Sequence, residues 1–401
     1  MVAGVAVLGA EGVVRLRPVK LLHVVASYLP ATRYGGTIVS VHGLCRALAR
    51  RGHDVHVFTT SVDGDRHSPV PHGSCVDVDG VSVWHFESRH LRRFYYSPDL
   101  KAALCNRVGS FDAVHTHAVY LWPLWTAARY AQASGVPYVV SPRGMLEKSL
   151  IEKKSLLAKA LLIGFIERHT LEGASAVHVT SRREADEAAA FGFSLPRMVD
   201  IPNGVDLHAE PGRASDRIQQ EIDRGPFVLF LGRLNWKKGL DRLVAALRHA
   251  PRVRVIVAGM DQDGYRAVLQ PLIEQLGVAA QVCFVGEVLR DDKAALLSHA
   301  AALVLPSYSE NFGNVVVESM AAGRPVVITP EVGMADIVRR ADAGMVVDGE
   351  PAAIGRALSH LIEDASDADR MGGCGRQYVE RELTWDAVAG RMERLYSEIR
   401  S

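Results

Sequence analysis

Short apolar runs alternate with helical patterns along most of the chain. Residues 20–27 (KLLHVVAS) form a buried-strand pattern, residues 39–51 a helical pattern closed by Gly52, and residues 55–59 a second strand pattern. A strand, a helix and a strand in direct succession form a βαβ unit, which requires a parallel sheet. The alternation predicts further strands at 113–117, 138–141 and 176–180, with helices at 125–134 and 147–172. The N-terminal part of the chain is therefore predicted to be an α/β domain.

The alternation breaks between Pro196 and Pro226, where Pro202-Asn203-Gly204 and mixed charge indicate a linker. A second series of strands is predicted at 227–231, 254–258, 282–285, 302–305 and 325–328, with helical patterns between them. We therefore predict an α/β fold of two Rossmann-like domains that face each other across a cleft. In open parallel sheets, ligands bind outside the carboxyl ends of the strands.

The bulk composition excludes some classes of protein. The chain has 401 residues, of which 48% are hydrophobic, and its 46 basic and 45 acidic side chains leave a net charge of +1. A dedicated nucleic-acid binder usually shows a strong basic excess, so we expect no nucleic acid as a partner. The five scattered cysteines lack CxxC spacing, which is typical of free thiols in a reducing compartment. We therefore predict a cytoplasmic protein.

The first residues leave two interpretations. No apolar run reaches the roughly 18–20 residues that span a bilayer. The opening run MVAGVAVLGA is apolar but carries no basic residue, and Glu11 follows it. A secretory signal peptide normally has a basic region at its start, so a loose extension over residues 1–18 is preferred to a signal peptide.

The most informative segment is LPSYSENFGNVVVESMAAGRP, residues 305–325, which places Glu310 and Glu318 around an Asn-Phe-Gly-Asn turn. An apolar strand pattern leads into this segment and a helical pattern at 315–322 leaves it. A strand, a tight turn and a helix start direct several backbone N–H groups towards one anionic or hydroxyl-rich ligand. Ionised carboxylates accept several hydrogen bonds at once, as sugar hydroxyls require.

Two further turns contain groups that suit phosphate. Arg233 and Lys238 follow a predicted strand and precede a helix near Gly239, so they are either diphosphate ligands or part of a solvated basic turn. Gly35-Gly36 opens the first helix, where glycines allow backbone N–H groups to approach phosphate, although such a pair also forms ordinary turns. No GxGxxG or GxxxxGK[ST] motif occurs, so a dinucleotide or P-loop site is not indicated.

Histidines and arginines follow other predicted strands. His115 and His117 share one face of a strand and are either packed structural residues or ligands. A metal site would need a third ligand that the sequence does not identify, so we expect none. Arg143 follows the strand at 138–141 and is a candidate for binding an anionic or carbohydrate acceptor. Arg92 and Arg93 lie in a basic loop with three aromatic residues, Phe94, Tyr95 and Tyr96.

The predicted helix at 147–172 is amphipathic. Its polar positions include Lys148, Lys153, Lys154 and Lys159. The helix either packs on the core with a solvated lysine face or docks on an anionic inner membrane, where a lipid-linked acceptor would lie.

Together these motifs resemble those of the family 4 retaining glycosyltransferases, which adopt the GT-B fold. The E-x7-E element at Glu310 and Glu318 is the most specific, and the GRL-x-x-KG element at 233–239 and IPNGVD at 201–206 support it. The resemblance extends from about Lys20 to the C-terminus. It implies transfer of a hexose from a nucleoside-diphosphate sugar to an acceptor hydroxyl, with no metal or cofactor required.

The resemblance also implies roles for individual residues in the C-terminal domain. Glu318 resembles the glutamate that holds the nucleotide ribose, and Glu310 the one that contacts the donor sugar. The backbone N–H groups that assist Glu310 are those of Asn311, Phe312 and Gly313. Arg233 and Lys238 correspond to the pair that binds the donor diphosphate.

In the N-terminal domain, the resemblance implies that Gly36 meets the phosphates and that His117 faces the donor sugar. The family's C-terminal helix returns to the N-terminal domain, so residues 1–205 and 385–401 are predicted to form the acceptor domain. Residues 206–384 are predicted to form the donor domain.

Two departures prevent assignment of the sugar. Asn311 replaces the usual glycine after the first glutamate, and Asn314 replaces a residue that is commonly apolar. The segments around Arg143 and Arg92 resemble members that build bacterial exopolysaccharide or O-antigen on a polyprenyl diphosphate lipid, which implies work at the cytoplasmic face of the inner membrane. Another GT-B nucleotide-sugar enzyme, such as an epimerase or hydrolase, and a non-catalytic nucleotide-sugar sensor are the alternatives.

Overall fold

The chain forms two compact units. The computed structural model describes residues 7–8, 14–15, 17–31, 35–64, 66–146, 166–207, 213–262 and 264–401. The first unit comprises Met1–Gly204 together with Trp385–Ser401, and the second comprises Val205–Thr384. The C-terminal segment therefore belongs to the first unit, and the first change of unit lies one residue before the boundary that the sequence predicts.

An eight-stranded sheet forms the centre of the first unit, in the order β12-β11-β10-β9-β3-β4-β8-β7. All neighbours are parallel except the edge pair β7–β8, which is antiparallel. Its strands are β3 Lys20–Ser27, β4 Asp54–Thr60, β7 Cys75–Val78, β8 Val81–Phe86, β9 Ala113–His117, β10 Tyr138–Ser141, β11 Ala176–Val179 and β12 Met198–Asp200. Two short antiparallel pairs complete the strands, β1 Val7–Leu8 with β2 Val14–Arg15 and β5 Val62–Asp63 with β6 Arg66–His67.

Helices cover both faces of this sheet. They are α1 Gly36–Arg50, α2 Pro98–Arg107, α3 Trp122–Ala133, α4 Arg168–Glu172, α5 Arg182–Ala189 and the C-terminal helix Trp385–Arg400. Successive strand residues point to opposite faces, so Leu22 packs in one core and Leu21 in the other. Residues 147–165 of the predicted helix at 147–172, including its four lysines, lie outside the described residues.

The second unit contains a six-stranded parallel sheet in the order β15-β14-β13-β16-β17-β18. Its strands are β13 Val228–Leu231, β14 Val255–Ala258, β15 Val282–Gly286, β16 Ala302–Leu305, β17 Val326–Ile328 and β18 Gly344–Val346. Its helices are α6 Asp216–Asp223, α7 Leu240–Ala246, α8 Tyr265–Leu276, α9 Arg290–His299, α10 Asn314–Ala321, α11 Ala335–Ala341, α12 Pro351–Glu363 and α13 Ala365–Tyr378. Strands β13, β14 and β16 are fully buried because helices cover both faces of the sheet.

Both sheets have a topological switch point, where crossovers leave neighbouring strands in opposite directions. In the second unit this point lies between β13 and β16, and in the first unit between β3 and β9. Loops at the carboxyl ends of these strands diverge and leave room for a ligand. The two Rossmann-like units confirm the predicted fold class. No helix among the described residues combines the length and the apolar character needed to cross a bilayer.

A buried ion-pair group fixes the C-terminal helix to α1 and β4. Arg51 donates two hydrogen bonds to Glu393, at 2.6 and 2.9 Å, and a ring nitrogen of His53 lies 2.8 Å from the same carboxylate. Burial raises the pKa of Glu393, but these two partners outweigh it and lower the pKa to about 2. The ionised carboxylate therefore stabilises the folded first unit.

Substitution Glu393→Gln is expected to reduce the free energy of unfolding by about 3 kcal/mol at pH 7, because Arg51 and His53 lose a buried partner. The contribution of a carboxyl group with a lowered folded pKa is complete above its unfolded pKa. It is lost as the pH falls through the folded value of about 2. Urea unfolding of the wild type and of Glu393→Gln is measured from pH 7 to pH 2. The difference between their free energies of unfolding should shrink below about pH 4.5. An equal difference at pH 7 and pH 2 would contradict this role.

Candidate active site

The loops that follow β13 and β16 meet at the switch point of the second unit. Gly239 has a φ of +67°, and a Cβ atom there would overlap the carbonyl oxygen of Pro306. The amide of Tyr308 donates to the carbonyl of Lys237 at 2.8 Å. A glycine and a backbone hydrogen bond thus hold the two loops in close contact, which brings the basic turn beside the acidic turn.

Lys238 and Glu310 form an ion pair at this junction, with the ammonium bonded to Oε2. Each side chain is only 19% exposed. Partial burial strengthens the attraction between the charges, and the pairing offsets the cost of removing them from water. Arg233 lies exposed in the same loop and has no ion-pair partner among the residues that the structure describes. A fixed cation therefore lies beside a carboxylate, and the same loop carries a second, exposed cation.

Backbone hydrogen bonds fix the acidic turn itself. The amide of Glu310 donates to Glu331 at 3.1 Å, and the Glu310 carbonyl accepts from Gly333 at 2.9 Å. Phe312 is buried, and its carbonyl accepts from Met334 at 3.0 Å. Gly313, with a φ of +97°, precedes the first residue of α10. The positive end of that helix dipole therefore adjoins the turn.

Glu318, on α10, has a partner that the motifs did not identify. Lys293, on α9, donates to Glu318 Oε1 at 2.7 Å, while Oε2 is buried and has no hydrogen-bond partner among the described residues. A buried carboxylate oxygen without a donor is costly. Glu318 is thus held by one cation, and its second oxygen retains unused hydrogen-bonding capacity.

In the first unit, the switch point lies between β3 and β9. The chain leaving β3 reaches Gly35, which has a φ of +63° and caps the N-terminus of α1. That conformation favours glycine, and the Gly35 carbonyl accepts from the amides of Ile38 at 3.1 Å and Val39 at 3.5 Å at the start of the helix. Strand β9 ends at His117, which is fully buried. The two elements predicted to contact one ligand therefore follow neighbouring strands of the same sheet.

His117 belongs to a buried cluster with His23 and His115. His23 lies directly opposite His115 in the β3–β9 pair, and ring nitrogens of all three residues lie within 4.8 Å of one another. His23 is the third histidine that the sequence analysis did not find. Burial is the main cause that lowers the pKa values of all three rings, and the charge of Arg143 lowers them further. The rings are neutral at pH 7.

Hydrogen bonding determines where the protons of this cluster lie. Arg143 donates to His117 Nδ1 at 3.1 Å, and His117 Nε2 lies 2.9 Å from His23 Nδ1. A guanidinium group can only donate, so His117 Nδ1 accepts and His117 Nε2 carries the proton. His117 then donates to His23. This arrangement favours hydrogen-bonded neutral rings over a metal ion, because a ligating Nε2 would require a proton on Nδ1, towards the Arg143 donor.

Matches to family models identify the chain. The model described as "Glycosyl transferase 4-like domain" matches residues 35–204, and "Glycosyl transferases group 1" matches residues 213–378. A D-inositol 3-phosphate glycosyltransferase from Xylanimonas cellulosilytica is 30% identical, over 91% of this chain and 92% of the relative. The chain belongs to family 4 of the glycosyltransferases. This confirms the resemblance found in the sequence.

Solved structures agree with the glycosyltransferase fold. Sucrose-phosphate synthase from Thermosynechococcus elongatus superposes with a TM-score of 0.74 at 22% identity, covering 95% of this chain and 98% of the other. Anabaena Alr3699/HepE in complex with UDP-glucose gives 0.71 at 19% identity, covering 95% and 100%. At these identities the likeness establishes the GT-B fold alone.

The predicted acceptor-binding arginines of the glycosyltransferase have contacts within the first unit. Arg143 donates to Asn203 Oδ1 at 2.7 Å as well as to His117. Arg92 donates to the carbonyls of Arg66 at 2.6 Å and Gly64 at 3.3 Å. Arg93 is exposed. Contact of the three arginines with an acceptor stays a prediction, and two of the guanidinium groups have partners that hold local structure.

We predict that ¹⁵N NMR of the glycosyltransferase at pH 7 will show the His117 ring protonated on Nε2 and unprotonated on Nδ1. Among the described residues, Arg143 is the only donor to His117 Nδ1, so we expect a mixture of tautomers in the variant Arg143→Met. The matched substitution Arg182→Met changes an exposed arginine of α5 and should leave the His117 signals unchanged. A wild-type His117 protonated on Nδ1 would contradict the assigned direction of the hydrogen bonds.

Proposed function

We propose that this glycosyltransferase transfers a hexose from a nucleoside-diphosphate sugar to an acceptor hydroxyl, with retention at the anomeric carbon and without a metal ion. The observation that carries the proposal is the meeting of Lys238 and Glu310 at the switch point of the second unit, in a loop that also carries the exposed Arg233. A cation pair and a helix N-terminus suit a diphosphate, and the neighbouring carboxylate suits sugar hydroxyls. The Anabaena neighbour described with UDP-glucose supports a donor of this class.

The donor contacts follow from the groups that the second unit leaves available. The free Oε2 of Glu318 would accept a hydrogen bond from a ribose hydroxyl, while Lys293 holds the other oxygen. A diphosphate would compete for the Lys238 ammonium. Glu310 would then accept from the donor sugar, with backbone N–H groups at Asn311–Gly313 beside it. The ion pair of the free protein thus holds both side chains in position until the donor replaces it.

The chemical step would break the bond between the anomeric carbon and the diphosphate oxygen. Negative charge then develops on the leaving diphosphate, and Arg233 and Lys238 would stabilise it, so charge neutralisation requires no metal. No enzymic nucleophile is evident among the residues that the structure describes, so we propose attack by the acceptor hydroxyl on the face that the diphosphate leaves. The departing phosphate oxygen takes the acceptor proton, which balances the transfer.

The first unit would contribute backbone amides and acceptor contacts. We propose that the backbone N–H groups at Gly35 and Gly36 contact the donor phosphates and that His117 faces the donor sugar. Both ring nitrogens of His117 are already hydrogen-bonded, and the following Ala118 has a φ of +91°. His117 would therefore act mainly by fixing the backbone that follows β9, whose strained conformation it supports.

The proposed acceptor is a glycan or a polyprenyl-diphosphate-linked saccharide used in cell-surface polysaccharide synthesis. The exposed Arg93 and Phe94 support contact with an anionic, partly apolar acceptor. The basic residues proposed to meet the inner membrane lie outside the described part of the chain. The Xylanimonas relative is named for D-inositol 3-phosphate and the Thermosynechococcus neighbour for sucrose phosphate, and both names refer to phosphorylated small molecules.

A donor screen tests the proposed reaction. UDP-, GDP-, ADP- and dTDP-sugars are compared, and we expect only the donor that the enzyme uses to raise the thermal unfolding temperature. A ligand at a hundredfold excess over its Kd stabilises the folded protein by about 2.7 kcal/mol. With the selected donor and an acceptor, proton NMR should show a product with the anomeric configuration of the donor, in EDTA as well as in buffer. An inverted product would refute retention. Loss of activity in EDTA would refute metal independence, and donor consumption without transfer would favour the epimerase or hydrolase.

Substitution Lys238→Ala is expected to lower kcat by about 10²–10³-fold, because the leaving diphosphate loses a preorganised cation. Lys237→Ala is the matched control, since the neighbouring ammonium lies over the Trp236 ring, 5.8 Å from its centroid, instead of at the acidic turn. Steady-state kinetics with saturating donor measures both variants. Equal losses in the two, or an unchanged kcat in folded Lys238→Ala, would remove the assigned role.

A further inference from the structure

A second concave site lies in the first unit, away from the residues assigned to the donor. It is a cavity of about 540 Å³ between α2, α3 and α4, and its lining follows α3 from Trp122 to Gln132. Small-molecule sites typically have volumes of about 300–1,000 Å³ and combine aromatic walls with a few polar groups. The cavity has the size and the mixed lining of a ligand site.

Aromatic rings form much of the wall, and hydrogen bonds hold them in place. Tyr96 and Trp122 contact edge to face, with ring centroids 4.8 Å apart and an interplanar angle of 69°. The indole N–H of Trp125 donates to the carboxylate of Glu167, which also accepts from the amide of Tyr120. Glu167 is fully buried, so this anchor is inaccessible to solvent. The rings are therefore oriented before any ligand arrives, which lowers the entropic cost of binding.

The charge of the lining has one sign. Lys101 and Arg129 line the cavity together with His169, and no aspartate or glutamate is among the lining residues that the structure describes. All three are exposed, and none has an ion-pair partner within the described part of the chain. By contrast, Arg168 and Arg183 in the same unit pair with glutamates one turn away. The unpaired ammonium of Lys101 and guanidinium of Arg129 beside an aromatic cavity favour an anionic ligand.

Neutral polar groups in the lining suit hydroxyls. Thr126 donates its hydroxyl proton to the carbonyl of Trp122 at 2.8 Å and so keeps lone pairs as acceptors. Gln132 donates one amide proton to the hydroxyl of Tyr138 at 3.0 Å, and its side-chain oxygen has no partner among the described residues. Both side chains are fixed and retain hydrogen-bonding capacity, as recognition of a hydroxyl-rich molecule requires.

We propose that this cavity binds an acidic saccharide, with sugar C–H faces packed on Trp122 or Tyr96 and the anion held by Lys101 and Arg129. An aromatic face carries partial negative charge and attracts the positively polarised C–H groups of a sugar ring. The edge-to-face arrangement of Tyr96 and Trp122 gives no pair of parallel rings for a planar nucleobase. The site would hold part of the glycan acceptor, and in that respect the inference rests on the proposed function.

Binding is tested on the full-length protein by intrinsic tryptophan fluorescence and by calorimetry. The probes are tetragalacturonate, glucose 6-phosphate and neutral maltotetraose, so that a carboxylate anion, a phosphate anion and an uncharged glycan are compared. We expect tetragalacturonate or glucose 6-phosphate to bind at least tenfold more tightly than maltotetraose. The affinity should fall as salt rises, because the cations are exposed.

The double variant Lys101→Gln/Arg129→Gln is expected to bind the acidic probe at least tenfold more weakly. Trp122→Ala should weaken it similarly and remove much of the fluorescence change. Arg182→Gln is the matched control, an exposed arginine of the same unit outside the cavity lining, and should bind as the wild type does. Circular dichroism verifies that each variant is folded.

Three results would overturn the inference: no acidic probe binding more tightly than maltotetraose, equal affinity in the double variant and the control, or a nucleotide binding at the cavity in place of a saccharide. Thermal stabilisation by a nucleotide sugar is measured in parallel on the same variants. Donor stabilisation without saccharide binding would refute the cavity site alone. Saccharide binding without stabilisation by any donor would refute the proposed function and leave the cavity site standing.

Discussion

The reversal of crossover direction in each parallel sheet is the constraint on which the site depends. Between β13 and β16, and between β3 and β9, the connecting segments leave neighbouring strands on opposite faces. Side chains and amides that follow these strands therefore gather at one edge of each sheet. In the second unit this places Lys238 beside Glu310 although 72 positions separate them in the sequence. The β3–β9 pair likewise places His23 opposite His115.

Charge compensation explains why such groups are stable without a ligand. Two glutamates of the second unit lie in partly buried positions, where an isolated carboxylate would be costly, and each has a lysine partner. The cluster of the first unit uses another solution, because burial keeps its histidines neutral and Arg143 donates a hydrogen bond to His117. Each unit thus keeps its polar side chains in fixed positions before a ligand binds. A ligand then replaces existing interactions, and the side chains need little reorganisation.

Much of the fold follows from local sequence patterns. Apolar runs located β9, β10, β13 and β16 at or within one residue of their observed bounds, because strands buried on both faces have a continuous apolar signature. The edge pair β7–β8 was missed, since half-buried strands carry a weaker pattern and depend on their neighbours.

Some residues of the candidate site could be predicted from the sequence and others could not. Glu310, Glu318 and Lys238 follow strands in recognisable motifs, whereas His23 and Lys293 became evident only from their contacts. His23 lies within an apolar strand run, and Lys293 is one charged residue of the surface helix α9, so neither has a local signal that distinguishes it. The surroundings of His23 and Lys293 depend on pairing between strands and between helices that are far apart in the sequence. No short stretch of the sequence predicts that pairing.

A crystal structure of the protein with a bound nucleoside-diphosphate sugar tests the central claim most directly. The account predicts a phosphate oxygen about 2.7–3.2 Å from Lys238 Nζ and a ribose oxygen at the same distance from Glu318 Oε2. It also predicts that Lys238 no longer bonds to Glu310. A diphosphate bound away from the loops that follow β13 and β16, with the Lys238–Glu310 pair intact, would contradict it.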